Sequence, residues 1–89
     1  MVSYPIKFSF MTPKDFLSFI INSLVSHEAD VVIEQREDEL GTLLTLKVNT
    51  QDMGTVIGKE GKTINAIRTV LRVYGSKMDA RVNLKVIEE

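Results

Sequence analysis

The stretch Val56-Ile57-Gly58-Lys59-Glu60-Gly61-Lys62-Thr63-Ile64 constrains this chain more than any other. Two glycines stand three apart, with a lysine and a glutamate between them and β-branched apolar residues on both sides. Glycine lets one backbone approach another because no Cβ stands in the way. A Gly-x-x-Gly turn between two short helices exposes backbone N–H groups where the second helix starts. Those donors, with the positive end of the helix dipole, attract phosphate. The flanking residues must therefore be read for two helices that meet at this turn.

Taken in order, the chain supplies them. Residues 1–11 carry a weak alternation, Lys7-Phe8-Ser9-Phe10-Met11, that fits a short edge strand or a tail folded on the body; they form an N-terminal extension to a domain over 12–89. Thr12 as N-cap, Pro13 at the first helical position and Asp15 in the first turn announce a helix. Phe16, Leu17, Ile20, Ile21 and Leu24 recur at helical spacing and carry it to about His27. From Asp30 the period becomes two, with Val31 and Ile33 on one side and Glu34 and Arg36 on the other. A polar turn at Glu37-Asp38-Glu39-Leu40-Gly41 leads to a second strand with Leu44, Leu46 and Val48 inward. So short a connection predicts an antiparallel hairpin. Thr50 is the expected cap of a short helix over 51–57, interrupted by the turn at 58–61. A further helix from about Lys62 puts Ile64, Ile67, Val70, Leu71 and Tyr74 on its apolar side, with Asn65, Arg68 and Arg72 on a polar stripe. Gly75 is placed to be its left-handed C-terminal cap. Ala80, Val82, Leu84 and Val86 then alternate with Arg81, Asn83 and Lys85 in a last strand. The order is α-β-β-α-α-β, an α+β domain.

Length and composition exclude several classes. An 89-residue chain with 44% hydrophobic residues makes one folded domain with a modest core. With no cysteine, disulfides, thiol nucleophiles and zinc–thiolate sites are excluded. Apolar runs are too short to span a bilayer. The first seven residues lack the pattern of a signal peptide. A cytoplasmic protein without a membrane association is the expectation. The net charge of −1 hides an asymmetry: residues 1–53 sum to −4 and residues 54–89 to +3. The positive half is the one that holds the glycine turn, and a polyanion responds to local field. Solvated charge on both faces would give the same numbers.

The element order with Gly-x-x-Gly between the second and third helices resembles the type II KH fold, a small nucleic-acid-binding module, in which a three-stranded sheet carries its helices on one face. The longer run Asp52-Met53-Gly54-Thr55-Val56-Ile57-Gly58-Lys59-Glu60-Gly61, followed by Ile64-Asn65-Ala66-Ile67-Arg68-Thr69-Val70, is similar to the small bacterial single-KH proteins of the KhpA-like family. The resemblance covers roughly residues 12–87. It implies a cytoplasmic protein that binds single-stranded RNA, an RNA chaperone or post-transcriptional regulator. It also implies pairing with a second, larger KH protein or with another copy, and an influence on cell elongation and shape. No cofactor is implied.

On that reading Gly58 and Gly61 let the sugar–phosphate backbone approach, and Lys59 and Lys62 supply charge to phosphates. Val56, Ile57 and Ile64 form an apolar floor for unstacked bases, whose edges are read from the neighbouring strand. For Ile57 and Ile64 a plain core role stands open beside this one. Arg68 extends a basic track along the last helix, or with Arg72 is a solvated face. Arg81 and Lys85 read as exposed and non-specific. Glu60 departs from the family pattern, since it cancels the charge of Lys59 and weakens phosphate binding. That leaves a protein-interaction module as the rival function. His27, with no carboxylate or nucleophile pattern around it, reads as structural. Gly61-Lys62-Thr63 ends like a Walker A loop, but the glycine that motif needs falls on Val56. No catalytic or metal-ligating set stands out, and no enzyme is expected.

Overall fold

A computed structural model describes residues 12–87 of the chain. The readings of residues 1–11 and of the last two residues lie outside the described residues.

Helix α1, Pro13–Leu24, begins at a reciprocal cap. The Thr12 hydroxyl accepts from the Asp15 N–H at 3.1 Å, and the Asp15 carboxylate accepts from the Thr12 N–H at 3.3 Å. Leu17 and Ile21 are fully buried, and Phe16 stacks on Tyr74 with ring centroids 4.6 Å apart. The helix stops three residues before the expected end. Val25 is extended, and the Ser26 and His27 N–H groups both donate at 3.0 Å to the Asp52 carboxylate. Those two donors are thereby removed from any further helical turn. Leu24, expected inside, is left at the helix end, partly exposed.

A 3₁₀ turn, Glu28–Asp30, leads into β1, Val32–Asp38, which pairs antiparallel with β2, Gly41–Lys47, as the hairpin pattern predicts. The register sets Gln35 opposite Leu44 and Asp38 opposite Gly41, so only Glu39 and Leu40 form the tip. β3, Val82–Val86, pairs parallel with β2, Leu44 opposite Leu84, giving the order β1-β2-β3. Alternation puts Thr42, Leu44, Leu46 and Val48 on the buried side, while Thr45 and Lys47 point the other way. The helices pack on the buried face alone.

Helix α2, Thr50–Ile57, is capped by Asn49 and not by Thr50. The asparagine Oδ1 accepts from the Gln51 N–H at 2.8 Å while its amide donates to Asp30 at 2.9 Å, a double hold a threonine one residue later cannot make. Helix α3, Lys62–Lys77, buries Ile64, Ile67, Leu71 and Gly75. Val70, expected inward, falls at the margin of this stripe and is 44% exposed. Gly75 is not the cap. The helix runs on to Lys77, and the left-handed residue beyond it is Asp79, at φ 55°. Gly75 is needed instead for proximity: a Cβ there would lie 2.7 Å from Val82 Cγ2 and 2.8 Å from the Ala80 carbonyl oxygen.

Gly75→Ala therefore destabilises the fold by about 1–3 kcal/mol through overpacking, although alanine is the better helix former. Gly54, also inside a helix, has nothing within 4 Å of a built Cβ. Gly54→Ala stabilises by about 0.5–1 kcal/mol. Urea unfolding of the two variants gives opposite shifts in midpoint; equal shifts would refute the packing role of Gly75.

Candidate nucleic-acid interface

The turn between α2 and α3 is built from three unusual backbone conformations in four residues. Gly58 ends α2 at φ 80°, ψ 170°, and its N–H donates to the Gly54 carbonyl at 2.8 Å. Lys59–Gly61 form a 3₁₀ turn closed by the Gly61 N–H on the Gly58 carbonyl at 3.1 Å. Glu60 (φ 57°) and Gly61 (φ 77°) are both left-handed, and α3 starts directly after. The two glycines answer different demands. A Cβ on Gly58 would overlap the Thr63 hydroxyl and lie 2.6 Å from Thr63 Cβ; on Gly61 it would meet nothing nearer than Asn65 Nδ2 at 3.7 Å. Gly58 is fixed both by close contact and by its conformation, Gly61 by conformation alone. Glu60 has no such freedom and costs about 1 kcal/mol in the left-handed region.

Because Gly61 is the N-cap of α3, no side chain at that position covers the first helical N–H groups. The Lys62 N–H turns back to the Lys59 carbonyl, and Lys59, Glu60 and Lys62 lie exposed at the positive end of a 16-residue helix.

The apolar residues of the motif divide by depth. Val56 is fully buried and Ile64 is 4% exposed, so both are core. Ile57 is half-buried at the edge of the same cluster. Of the three, Ile57 presents the most surface.

Arg68 is half-buried, and neither alternative open in the sequence describes it fully. Its Nε donates to the Leu84 carbonyl at 3.3 Å and its Nη1 to Asn65 Oδ1 at 3.3 Å. The sheet explains why that carbonyl is free. The β3 segment bonds to β2 through its odd residues: the Thr42 N–H donates to the Arg81 carbonyl at 2.7 Å and the Ile87 N–H to the Leu46 carbonyl at 2.9 Å. The main-chain groups of Val82, Leu84 and Val86 are turned to the outer edge. Among the described residues the structure thus sets the polar stripe of α3 beside a strand edge that pairs with no further strand, with the glycine turn at one end. Arg72, Arg81 and Lys85 are exposed.

The contact that sequence reasoning missed is Asp52. It is 5% exposed, in the first turn of α2, and receives Ser26 N–H, His27 N–H and His27 Nδ1, the last at 3.0 Å. His27 does have a carboxylate partner, contrary to the sequence reading, but their joint effect is to fasten α1 to α2. Nothing local betrays it, since the partners are 25 and 26 residues apart. The Ser26 N–H above all holds the Asp52 carboxyl below its ordinary pKa of 3.8, with the His27 N–H and ring adding to the effect against opposing desolvation. Among the described residues, no group of three or more His, Cys, Asp or Glu could hold a metal ion, and no helix is long and apolar enough to cross a membrane.

Residues 14–86 match the family model described as KhpA/KhpB, KH domain. The chain is 40% identical over 75 residues to the RNA-binding protein KhpA of Listeria monocytogenes, covering 84% of this chain and 99% of that protein. It is 41% identical over 76 residues to the RNA-binding protein KhpA of Chlamydia pneumoniae, covering 85% and 97%. The RNA-binding protein KhpA of Borreliella burgdorferi is 36% identical over 74 residues, 83% of this chain and 90% of that protein.

The lowered pKa of Asp52 sets a pH dependence. Its folded value lies below its unfolded one, so the stability it contributes is complete above about pH 4 and lost as pH falls through the folded value. Asp52→Asn lowers the melting temperature at neutral pH, and its gap from the parent narrows below about pH 4. A gap unchanged by acid would show that the carboxylate charge contributes nothing.

Proposed function

The chain belongs to the KhpA/KhpB KH-domain family, and from that premise we propose that it binds single-stranded RNA at the turn of residues 58–61 and the groove between α3 and the outer edge of β3. The reading is carried by one observation: the positive end of α3 begins behind a glycine N-cap that has no side chain to cover it, and Gly61 has nothing nearer to a built Cβ than Asn65 Nδ2 at 3.7 Å, which leaves room for a phosphate backbone. Lys59 and Lys62 add charge. Ile57 supplies the apolar surface under the bases, while Val56 and Ile64 support it from within the core. Arg68 and the edge of β3 supply hydrogen-bonding groups for base edges, which single-stranded RNA leaves free. The role is binding, that of an RNA chaperone or post-transcriptional regulator acting in the cytoplasm.

A second reading has its own observation. Val70 and Val73 are 44% and 55% exposed on α3, apolar surface that suits a second copy of the chain or another KH protein. A lone KH module gains avidity from such linkage, so the two readings are compatible.

Replacing Lys59 and Glu60 together by aspartate turns an uncharged pair into two negative charges with no change in packing. Aspartate also tolerates the left-handed conformation at position 60. The folded double variant loses about tenfold or more in affinity for a mixed single-stranded RNA pool, measured by fluorescence anisotropy at low salt. Undiminished binding with an unchanged circular dichroism spectrum would refute the loop assignment.

Glu60→Lys tightens the same binding about threefold to tenfold at low salt, and the gain fades as salt rises. No gain at low salt would mean that the Glu60 side chain is directed away from the phosphates.

A further inference from the structure

The groove does not end at Arg68. One turn further, α3 and the start of β3 enclose a second cleft of about 550 Å³, lined among others by Arg72, Ser76, Asp79, Arg81 and Asn83. At 1.5 Å per residue it lies about 15 to 21 Å along α3 from Lys62. It continues the same outer edge of β3 whose Leu84 carbonyl holds Arg68. Among the described residues, neither Arg72 nor Arg81 has an ion-pair or hydrogen-bonding side-chain partner, although Asp79 lines the cleft with them. Two uncommitted guanidinium groups at the end of an electropositive helix face match the chemistry of a phosphodiester backbone. On the far side of Arg81 the sign reverses, because Glu37, Asp38 and Glu39 of the hairpin tip line the adjacent hollow. A polyanion that follows α3 is therefore favoured as far as Arg72 and Arg81 and opposed beyond them.

Resting on the RNA-binding reading, we propose that this cleft takes the phosphates of nucleotides flanking those held at the glycine turn, so that the RNA footprint is about six nucleotides or more and not four. The two arginines act as charge contacts to the backbone and carry no base preference.

The test compares random-sequence single-stranded RNA pools of four and eight nucleotides on the parent and on Arg72→Gln/Arg81→Gln, by NMR titration with the spectrum as a check of folding. The variant keeps its affinity for four nucleotides and loses about tenfold for eight, with the salt slope for eight shallower by about 1.4, the share of two phosphates on a single strand. Comparing variant with parent at each length removes the gain that extra registers give the longer pool. Arg72→Lys/Arg81→Lys restores most of the loss. An equal effect at both lengths, or none at either, overturns the proposal while the RNA reading stands. Failure of lysine to restore affinity overturns the backbone assignment. A parent that binds neither pool removes the RNA reading and this inference together.

Discussion

The arrangement depends on one close contact, the bare Cα of Gly58 against Thr63. Two helices joined by four residues can direct their apolar faces at one core only if the chain reverses within a single turn. The contact permits that reversal. It lets Val56 at the end of α2 and Ile64, Ile67 and Leu71 of α3 meet beneath Leu44 and Leu46 of the sheet. At the far end of α3, Gly75 allows an equally close approach to Val82 and Ala80 of the β3 segment. Gly58 thus sets how α3 leaves the turn, and Gly75 sets how closely its far end approaches β3.

What could be read from the sequence was what neighbours in sequence decide. The cap at Thr12, the period of two in both hairpin strands and in β3, and the helix break at Gly58 are local, and their residues state them. Asp52 escaped because its partners, Ser26 and His27, are distant in the chain. The same distance hid the true end of α1, since the helix pattern continues to His27 but its last donors are taken by that carboxylate. Gly75 looked like a helix cap because glycine after a helical run usually is one. Only the approach of β3 reveals a steric demand instead. Val70 was assigned inward because apolar spacing cannot tell the centre of a buried stripe from its margin. The position of Arg68 needed the parallel pairing of β2 and β3, which decides which carbonyls of β3 are left unpaired.

Helix α2 has only eight residues and would not persist alone in water. Its end nearest the sheet is therefore fastened by polar bonds: Asn49 caps its second N–H and reaches back to Asp30, and Asp52 binds two main-chain donors and a ring nitrogen after α1. These bonds lie outside the loop but set where the loop begins. A buried carboxylate with satisfied oxygens is costly to disturb, because its donors would lose their partner in a site that excludes water. The precision of the glycine turn is thus borrowed from a clasp at the opposite end of α2.

The electrostatics explain how a chain of net charge −1 can suit a polyanion. Charges more than about 8 Å apart are largely screened at physiological ionic strength, so the sum over the molecule matters less than the sequence of signs along one face. Helix α3 carries Lys62, Arg68, Arg72 and Lys77 and no acidic residue, while the hairpin tip carries Glu37, Asp38 and Glu39 together. Within the loop the position is different. A unit charge about 6 Å from a phosphate in water is worth about 0.7 kcal/mol, so Lys59 and Glu60 nearly cancel. On the proposed reading the loop contributes geometry and main-chain donors, and the attraction comes from the helix that follows it. In that proposal the cost of an acidic residue at position 60 is confined to one phosphate, whereas the basic residues of α3 act along the length of the groove.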